Sequence, residues 1–278
     1  MPTPNSPAII DVWMQHPSAR FSSHEMFDSL RRWSGKDNFQ EIPPEFTVGA
    51  MDAGGVKMGM LAAWCGPGGW LIDHDEVLKM IEAYPGRFVG LASANLFKPM
   101  DAVHELRRMV KDHGFKGLRI VPWLWNLPPN DRRYYPLFAE CCELGVPFCT
   151  QVGHTGPLQP SEPGRPIPYL EEVALDFPEL KIVCGHIGFP WMNEMLSLLR
   201  KFPNVFVDTS AYSAKRYPPD LVGYMRGRGR KKVLFGTNFP MITPQQCLAD
   251  LDSLNLDDET TRLFLGENAG RVFGVVSA

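Results

Sequence analysis

Lys116-Gly117-Leu118-Arg119-Ile120-Val121, then the run from Tyr134 to Leu144, then Gly145-Val146-Pro147-Phe148-Cys149-Thr150-Gln151, read in succession as strand, helix and strand. Each strand is a short, mostly apolar run bounded by glycine or proline, and the helix stops at Gly145, a residue that suits the position after a last helical turn. A strand, a crossover helix and a second strand make the βαβ unit of a parallel sheet.

The alternation continues in both directions. Strand-like runs lie at residues 8–13, 57–63, 87–94, 180–184, 205–207 and 232–235, and helical patterns at 45–53, 73–84, 101–113, 167–177, 192–201 and 218–227. Short helices near 244–254, 257–265 and 268–273 close the chain. About eight strands alternating with helices argue for a parallel sheet and, at 278 residues, for a closed (β/α)8 TIM barrel, which takes roughly 250 residues. One domain over residues 1–278 is expected, with a long insertion after strand one at about 15–44 and a Gly- and Pro-rich connection at 153–166. In a barrel both emerge at the C-terminal face, where active sites are built.

Composition bounds the function. Hydrophobic residues make up 44% and charged residues 21%, enough for a large core. A net charge of −3 gives no general attraction to nucleic acid or to an anionic membrane. Six cysteines include no CxxC pair and sit mostly in apolar runs, which reads as reduced core thiols of a cytoplasmic protein. No basic leader precedes an apolar segment at residues 1–8, and no apolar run approaches the roughly 18 residues of a membrane span.

Several strand ends carry chemistry. His186 follows strand six in Cys184-Gly185-His186-Ile187-Gly188, where strand-end side chains face the pocket; the plainer alternative is a core histidine satisfied by a carbonyl. Asn238 follows strand eight in Gly236-Thr237-Asn238-Phe239-Pro240, Gln151 ends strand five, and Trp13 and Gln15 follow strand one. Arg119 on strand four must be paired if it points inward, either with Asp11 or Asp208 or with an anionic substrate. Trp123, Trp125, Tyr134, Tyr135, Trp191 and Tyr212 give an aromatic rim that suits an aromatic substrate. Arg165 and Arg216 lie on loops that can meet a phosphate or carboxylate, while the run Arg226, Arg228, Arg230, Lys231 and Lys232 precedes strand eight on the far face and reads as solvated surface.

The start of strand one, the Gly-His-Ile-Gly run with Pro190-Trp191, the segment Pro203-Asn204-Val205-Phe206-Val207-Asp208-Thr209-Ser210 and the segment Phe235-Gly236-Thr237-Asn238-Phe239-Pro240 together resemble the amidohydrolase-related family that includes the aminocarboxymuconate-semialdehyde decarboxylases and related aromatic-acid decarboxylases. The resemblance spans nearly the whole chain. It implies a metal held by His-x-His after strand one, His after strands five and six, and Asp after strand eight. This sequence has Trp13, Gln15, Gln151, His186 and Asn238 there. Amides ligate poorly and an indole not at all, so no metal and no other cofactor is expected. Gln15, Gln151 and Asn238 keep hydrogen-bonding capacity around His186, enough to steady an oxyanion while His186 moves a proton. Two alternatives stand: a decayed site, or a displaced metal centre built from His16, His154 and His186.

Within that family, Gln15-His16-Pro17, the Thr150-to-Pro157 segment and Gly236-to-Pro240 resemble a subgroup assigned as aryl β-ketoacyl-CoA hydrolases. That resemblance implies a metal-independent hydrolase that cleaves a carbon–carbon bond of an aromatic acyl-CoA, with catalytic His186, Asn238, Gln151 and Gln15. Trp13, His16, Arg119, Trp123, His154, Arg165, Tyr212 and Arg216 are then candidates for substrate binding. The family resemblance also implies a homodimer. Competing readings are an ester or lactone hydrolase, an aromatic-acid decarboxylase, and a non-catalytic barrel that binds a small ligand.

Overall fold

A computed structural model describes residues 8–34 and 42–275. Eight short strands carry the architecture: β1 Ile9–Met14, β2 Val56–Ala62, β3 Phe88–Leu91, β4 Leu118–Ile120, β5 Phe148–Gln151, β6 Ile182–Gly185, β7 Val205–Asp208 and β8 Val233–Leu234. Every neighbouring pair is parallel, in the runs β1-β2-β3 and β4-β5-β6-β7-β8. A bridge between Ala92 and Leu118 joins β3 to β4, with Arg119 N donating to Ala92 O at 2.7 Å. Val12 N donates to Phe235 O at 3.0 Å and Asn238 N to Trp13 O at 2.7 Å, which joins β8 to β1. The sheet therefore closes into the (β/α)8 barrel that the alternation predicts. All residues of β4 to β8 are buried, as expected of strands covered on both faces.

Local signals set the outer helices. Asp73 and Glu76 form a reciprocal capping box at the start of His74–Ala83. Tyr135–Leu144 stops at Gly145, whose φ of 69° is open to glycine at little cost.

The structure departs from the sequence reading in four places. Part of the insertion after β1 is helical, at Ala19–Ser23 and Asp28–Ser34; its residues 35–41 lie outside the described residues. An antiparallel hairpin, Trp64–Gly66 with Gly69–Ile72, follows β2 immediately. Pro122–Trp125 is a helical turn rather than a loop, and it buries Trp123 and Trp125. Residues 244–254 and 257–265 each break from an α-helix into a tighter or wider turn.

One irregularity matters for the site. Asp11 pairs with Gly59 but Met14 pairs with Leu61, so β1 spends three steps where β2 spends two. Such a bulge redirects side chains and frees backbone groups. Among the described residues all six cysteines are free thiols, and no helix is long and apolar enough to cross a membrane.

Candidate active site

A cavity of about 870 Å³ opens at the C-terminal ends of the strands, a volume typical of small-molecule sites. Gln15, Gln151, His186 and Asn238 reach it from β1, β5, β6 and β8. Trp64 and Trp123 form an apolar wall. The backbone marks the same region: His186 (φ 72°), Ile187 (φ 54°), Ala211 (φ 68°) and Asn238 (φ 68°) are all left-handed without being glycine. Each such residue costs on the order of 1–3 kcal/mol, and the cost is commonly borne at functional sites.

Three side chains at the ends of β6 and β7 form a relay. The Ser210 hydroxyl donates to Asp208 Oδ1 at 2.5 Å and lies 2.6 Å from His186 Nδ1. A hydroxyl has one proton to give, so the proton between serine and histidine belongs to Nδ1. His186 is thereby fixed as the tautomer with its lone pair on Nε2, on the side that faces the cavity. Backbone N–H groups hold the relay in place: His186 N donates to Ser210 Oγ at 3.2 Å and Ser210 N to Asp208 Oδ1 at 2.9 Å. Burial, then the nearby Arg119 guanidinium, pushes His186 down to about 3, so the imidazole is neutral across the physiological range. Burial raises Asp208 to about 6 against the hydrogen bonds from Ser210.

The amides are oriented as well. Trp123 Nε1 donates to Gln151 Oε1 at 2.8 Å, and Gln151 Nε2 donates to His154 O at 3.2 Å. Gln15 Nε2 donates to Asn238 Oδ1 at 3.3 Å. That leaves the Asn238 Nδ2 donors unengaged among the described residues, at the cavity. Asp11 accepts from Trp13 N, Thr237 N and Thr237 Oγ1 at 3.0, 3.0 and 2.5 Å and so ties the ends of β1 and β8 together; burial raises it to about 7.

The other expected residues divide. His154, Tyr212 and Arg216 also line the cavity, and Arg216 has no partner among the described residues. Lys215 beside it lies 3.8 Å from Asp250. Trp13, His16, Arg119 and Arg165 do not line it. The Trp13 indole plugs the barrel centre, edge-on to His186 at 5.1 Å. His16 Nδ1 lies 2.7 Å from Thr47 Oγ1. Arg165 pairs with Glu194 at 2.6 Å. Arg119 is not bonded to Asp11 or Asp208: it donates to Val12 O and Met14 O at 2.8 and 3.3 Å and stacks 4.0 Å from the Trp13 ring centre. The bulge in β1 explains the difference, since carbonyls turned off the regular ladder give the guanidinium neutral acceptors. Of the expected aromatic rim only Trp123 and Tyr212 reach the cavity; Tyr134 is fully buried against Phe138 and Phe148.

Sequence reasoning did not give Ser210 or Trp64 a role. The signal for Ser210 was present, because Asp208 and Ser210 are two residues apart and extended chain puts i and i+2 on one side.

A metal centre fits poorly here. Trp13, Gln15, Gln151, His186 and Asn238 offer one imidazole, three amides and an indole, where zinc or manganese takes imidazole, thiolate or carboxylate. Among the described residues no group of three or more His, Cys, Asp or Glu side chains is arranged to hold a metal ion, and His16 and His154 do not gather at His186.

Residues 23–275 match the sequence model of a family described as Amidohydrolase. The chain is 26% identical over 254 residues to the gamma-resorcylate decarboxylase of Rhodococcus jostii (strain RHA1), covering 72% of this chain and 74% of that protein. Among solved structures, an uncharacterized TIM-barrel protein from Bordetella bronchiseptica superposes with a TM-score of 0.81 at 23% identity, over 96% of this chain and 99% of that one. A 2,6-dihydroxybenzoate decarboxylase from Rhizobium gives a TM-score of 0.70 at 18% identity, over 97% and 99%. At these identities the structural likeness is one of fold.

Proposed function

The chain belongs to the amidohydrolase family, and from that premise we propose that it is an enzyme that hydrolyses an acyl derivative of an aromatic acid, with His186 as general base. The observation that carries this reading is the Asp208–Ser210–His186 relay, which presents an imidazole lone pair to the cavity. In this scheme water gives a proton to His186 Nε2 as its oxygen bonds to the substrate carbonyl carbon. The Nδ1 proton of the new imidazolium stays hydrogen-bonded to Ser210, backed by the Asp208 carboxylate. The oxyanion meets the free Nδ2 donors of Asn238, whose orientation Gln15 fixes. Collapse expels the leaving group, which takes the proton from Nε2.

The aromatic wall of Trp64 and Trp123 suits a ring, and the Lys215–Arg216 pair at the mouth suits an anionic end. A β-keto thioester of the aryl-CoA type meets both demands. Water then adds to the ketone, the carbon–carbon bond to the thioester breaks, and the thioester carbanion takes the Nε2 proton, leaving an aromatic acid and an acetyl thioester.

A second reading, decarboxylation of an aromatic acid, is supported by the likeness to the gamma-resorcylate decarboxylase. It needs a proton donor to the ring carbon, and a histidine whose Nδ1 proton is turned to Ser210 has only a lone pair on Nε2 to offer. Turnover in 18O-labelled water separates the two. Label in the product carboxylate with no CO2 supports hydrolysis; CO2 release with a solvent proton on the ring supports decarboxylation and overturns the first reading.

A further inference from the structure

The barrel centre beneath His186 holds neither a metal-binding set nor an ordinary core. It holds Arg119, a buried guanidinium on β4, under the Trp13 indole. We infer that Arg119, stacked on Trp13 and anchored to the bulged β1, is a built-in cation of the active site, placed where a metal's ligands are lacking, and that it sets the charge of His186 from below. This inference rests on the role proposed for His186. Arg119 does not line the cavity, so it is a positioning residue that acts through His186.

Four observations support it. First, the guanidinium is 1% exposed yet makes no direct ion pair; its donors go to Val12 O and Met14 O, and its Nε has no partner. A structural arginine in an interior is ordinarily neutralised by a bonded carboxylate. Here both nearby carboxylates are committed elsewhere: Asp11 to Trp13 and Thr237, Asp208 to Ser210. The guanidinium therefore has no bonded counter-ion, and Asp208 and Asp11 act on it only across a distance.

Second, Trp13 links cation to base. Its ring lies 4.0 Å from Arg119 Cζ on one side and 5.1 Å from the His186 ring on another. Third, the chain makes room for that ring. A Cβ on Gly185 would stand 2.5 Å from Trp13 Cζ3, so only glycine immediately before His186 admits the indole.

Fourth, no other charge on the barrel strands around His186 is as constant; Lys215 and Arg216 line the same cavity but stand on the segment after β7, with Lys215 3.8 Å from Asp250. Asp11 on β1 and Asp208 on β7 titrate near 7 and 6; Cys149 on β5 is pushed up to about 12 and Cys184 on β6 well above its usual value, so both thiols stay neutral. Arg119 is lowered only to about 10 and remains a cation at every pH where the enzyme would work.

The test reads His186 directly, without substrate. The His186 Cε1–H resonance, assigned among the seven histidines with His186→Asn, is followed by NMR from pH 8 to pH 4 in wild type, Arg119→Met and Arg119→Lys. Wild type and Arg119→Lys are expected to stay neutral throughout. Arg119→Met should gain proton affinity about tenfold or more, a shift of at least one unit. Identical His186 titration in folded Arg119→Met and Arg119→Lys overturns the inference. Should Arg119→Met fail to fold, Arg119→Gln takes its place, and a wild-type His186 that titrates between pH 6 and 7 overturns it outright. Loss of hydrolysis with the NMR pattern intact would instead count against the proposed reaction alone.

Discussion

Ser210 Oγ lies 2.6 Å from His186 Nδ1, and this contact decides which nitrogen of the imidazole faces the cavity. The hydroxyl gives its proton to Asp208, so Nδ1 keeps its own and Nε2 is the acceptor. A histidine without that contact would be free to turn its N–H toward the substrate, where it is useless as a base.

Ser210→Ala removes the link while leaving the cavity lining intact. Correct positioning of an acid–base group is worth roughly 10²–10⁴-fold, so kcat should fall by about that range with KM little changed. Asp208→Asn should fall at least as far, because the serine would no longer be held as a donor. Equal kcat for wild type and Ser210→Ala would remove the relay from the mechanism.

The pH profile should carry an acid limb near 6. Asp208 is raised to about 6, and the relay supports an imidazolium only when that carboxyl is ionised. Activity is therefore low below the limb and rises to a plateau above it. His186 itself, near 3, contributes nothing in this window. In Ser210→Ala the limb should vanish from the residual activity; a limb that persists unmoved assigns it to another group.

Stability should respond to Asp11 in the opposite direction from an ordinary carboxylate. Its folded value of about 7 lies above the usual 3.8, so the folded state prefers the protonated form. Its contribution is full below pH 4, declines as pH rises, and is gone above 7. His186 works the other way, costing stability as pH falls from 6.5 toward 3. Asp11→Asn keeps an oxygen for the N–H groups of Trp13 and Thr237 and has no proton to lose. Its stability relative to wild type should therefore increase from pH 5 to pH 8, with a ceiling of about 3 kcal/mol at about 1.4 kcal/mol per unit. Urea unfolding at the two pH values measures this, and an unchanged difference would refute it.

Gly185→Ala should damage the site from behind. The new methyl would meet Trp13 Cζ3 at 2.5 Å, with the indole already boxed in by Arg119 and His186. Overpacking of this kind costs typically about 1–3 kcal/mol. Activity should fall with the melting temperature; a variant as stable and active as wild type would show that Trp13 has room to move.

Much of this was legible in the chain, for identifiable reasons. Met192–Lys201 and Asn268–Phe273 were read with the bounds they have, because their apolar spacing is uninterrupted. His186, Asn238, Gln151 and Gln15 were placed at strand ends because a parallel barrel leaves little choice about where its strands end. Other features were hidden. The hairpin at Trp64–Ile72 is fused to the apolar run of β2, with only Ala63 between them, so no turn signal separates them. Arg119 was expected to seek a carboxylate, because a bulge that frees the carbonyls of Val12 and Met14 leaves no mark in composition. Ser210 has no role until the left-handed turn at His186 brings the imidazole back onto it.

In the proposed scheme this site works from a fixed imidazole with no metal ion. The most direct test is elemental mass spectrometry of the purified protein after dialysis against buffer holding zinc and manganese and then against buffer without them. Well under one equivalent of either metal is expected in wild type, and no change when His186→Asn is treated the same way. One equivalent retained by wild type and lost in His186→Asn would contradict it.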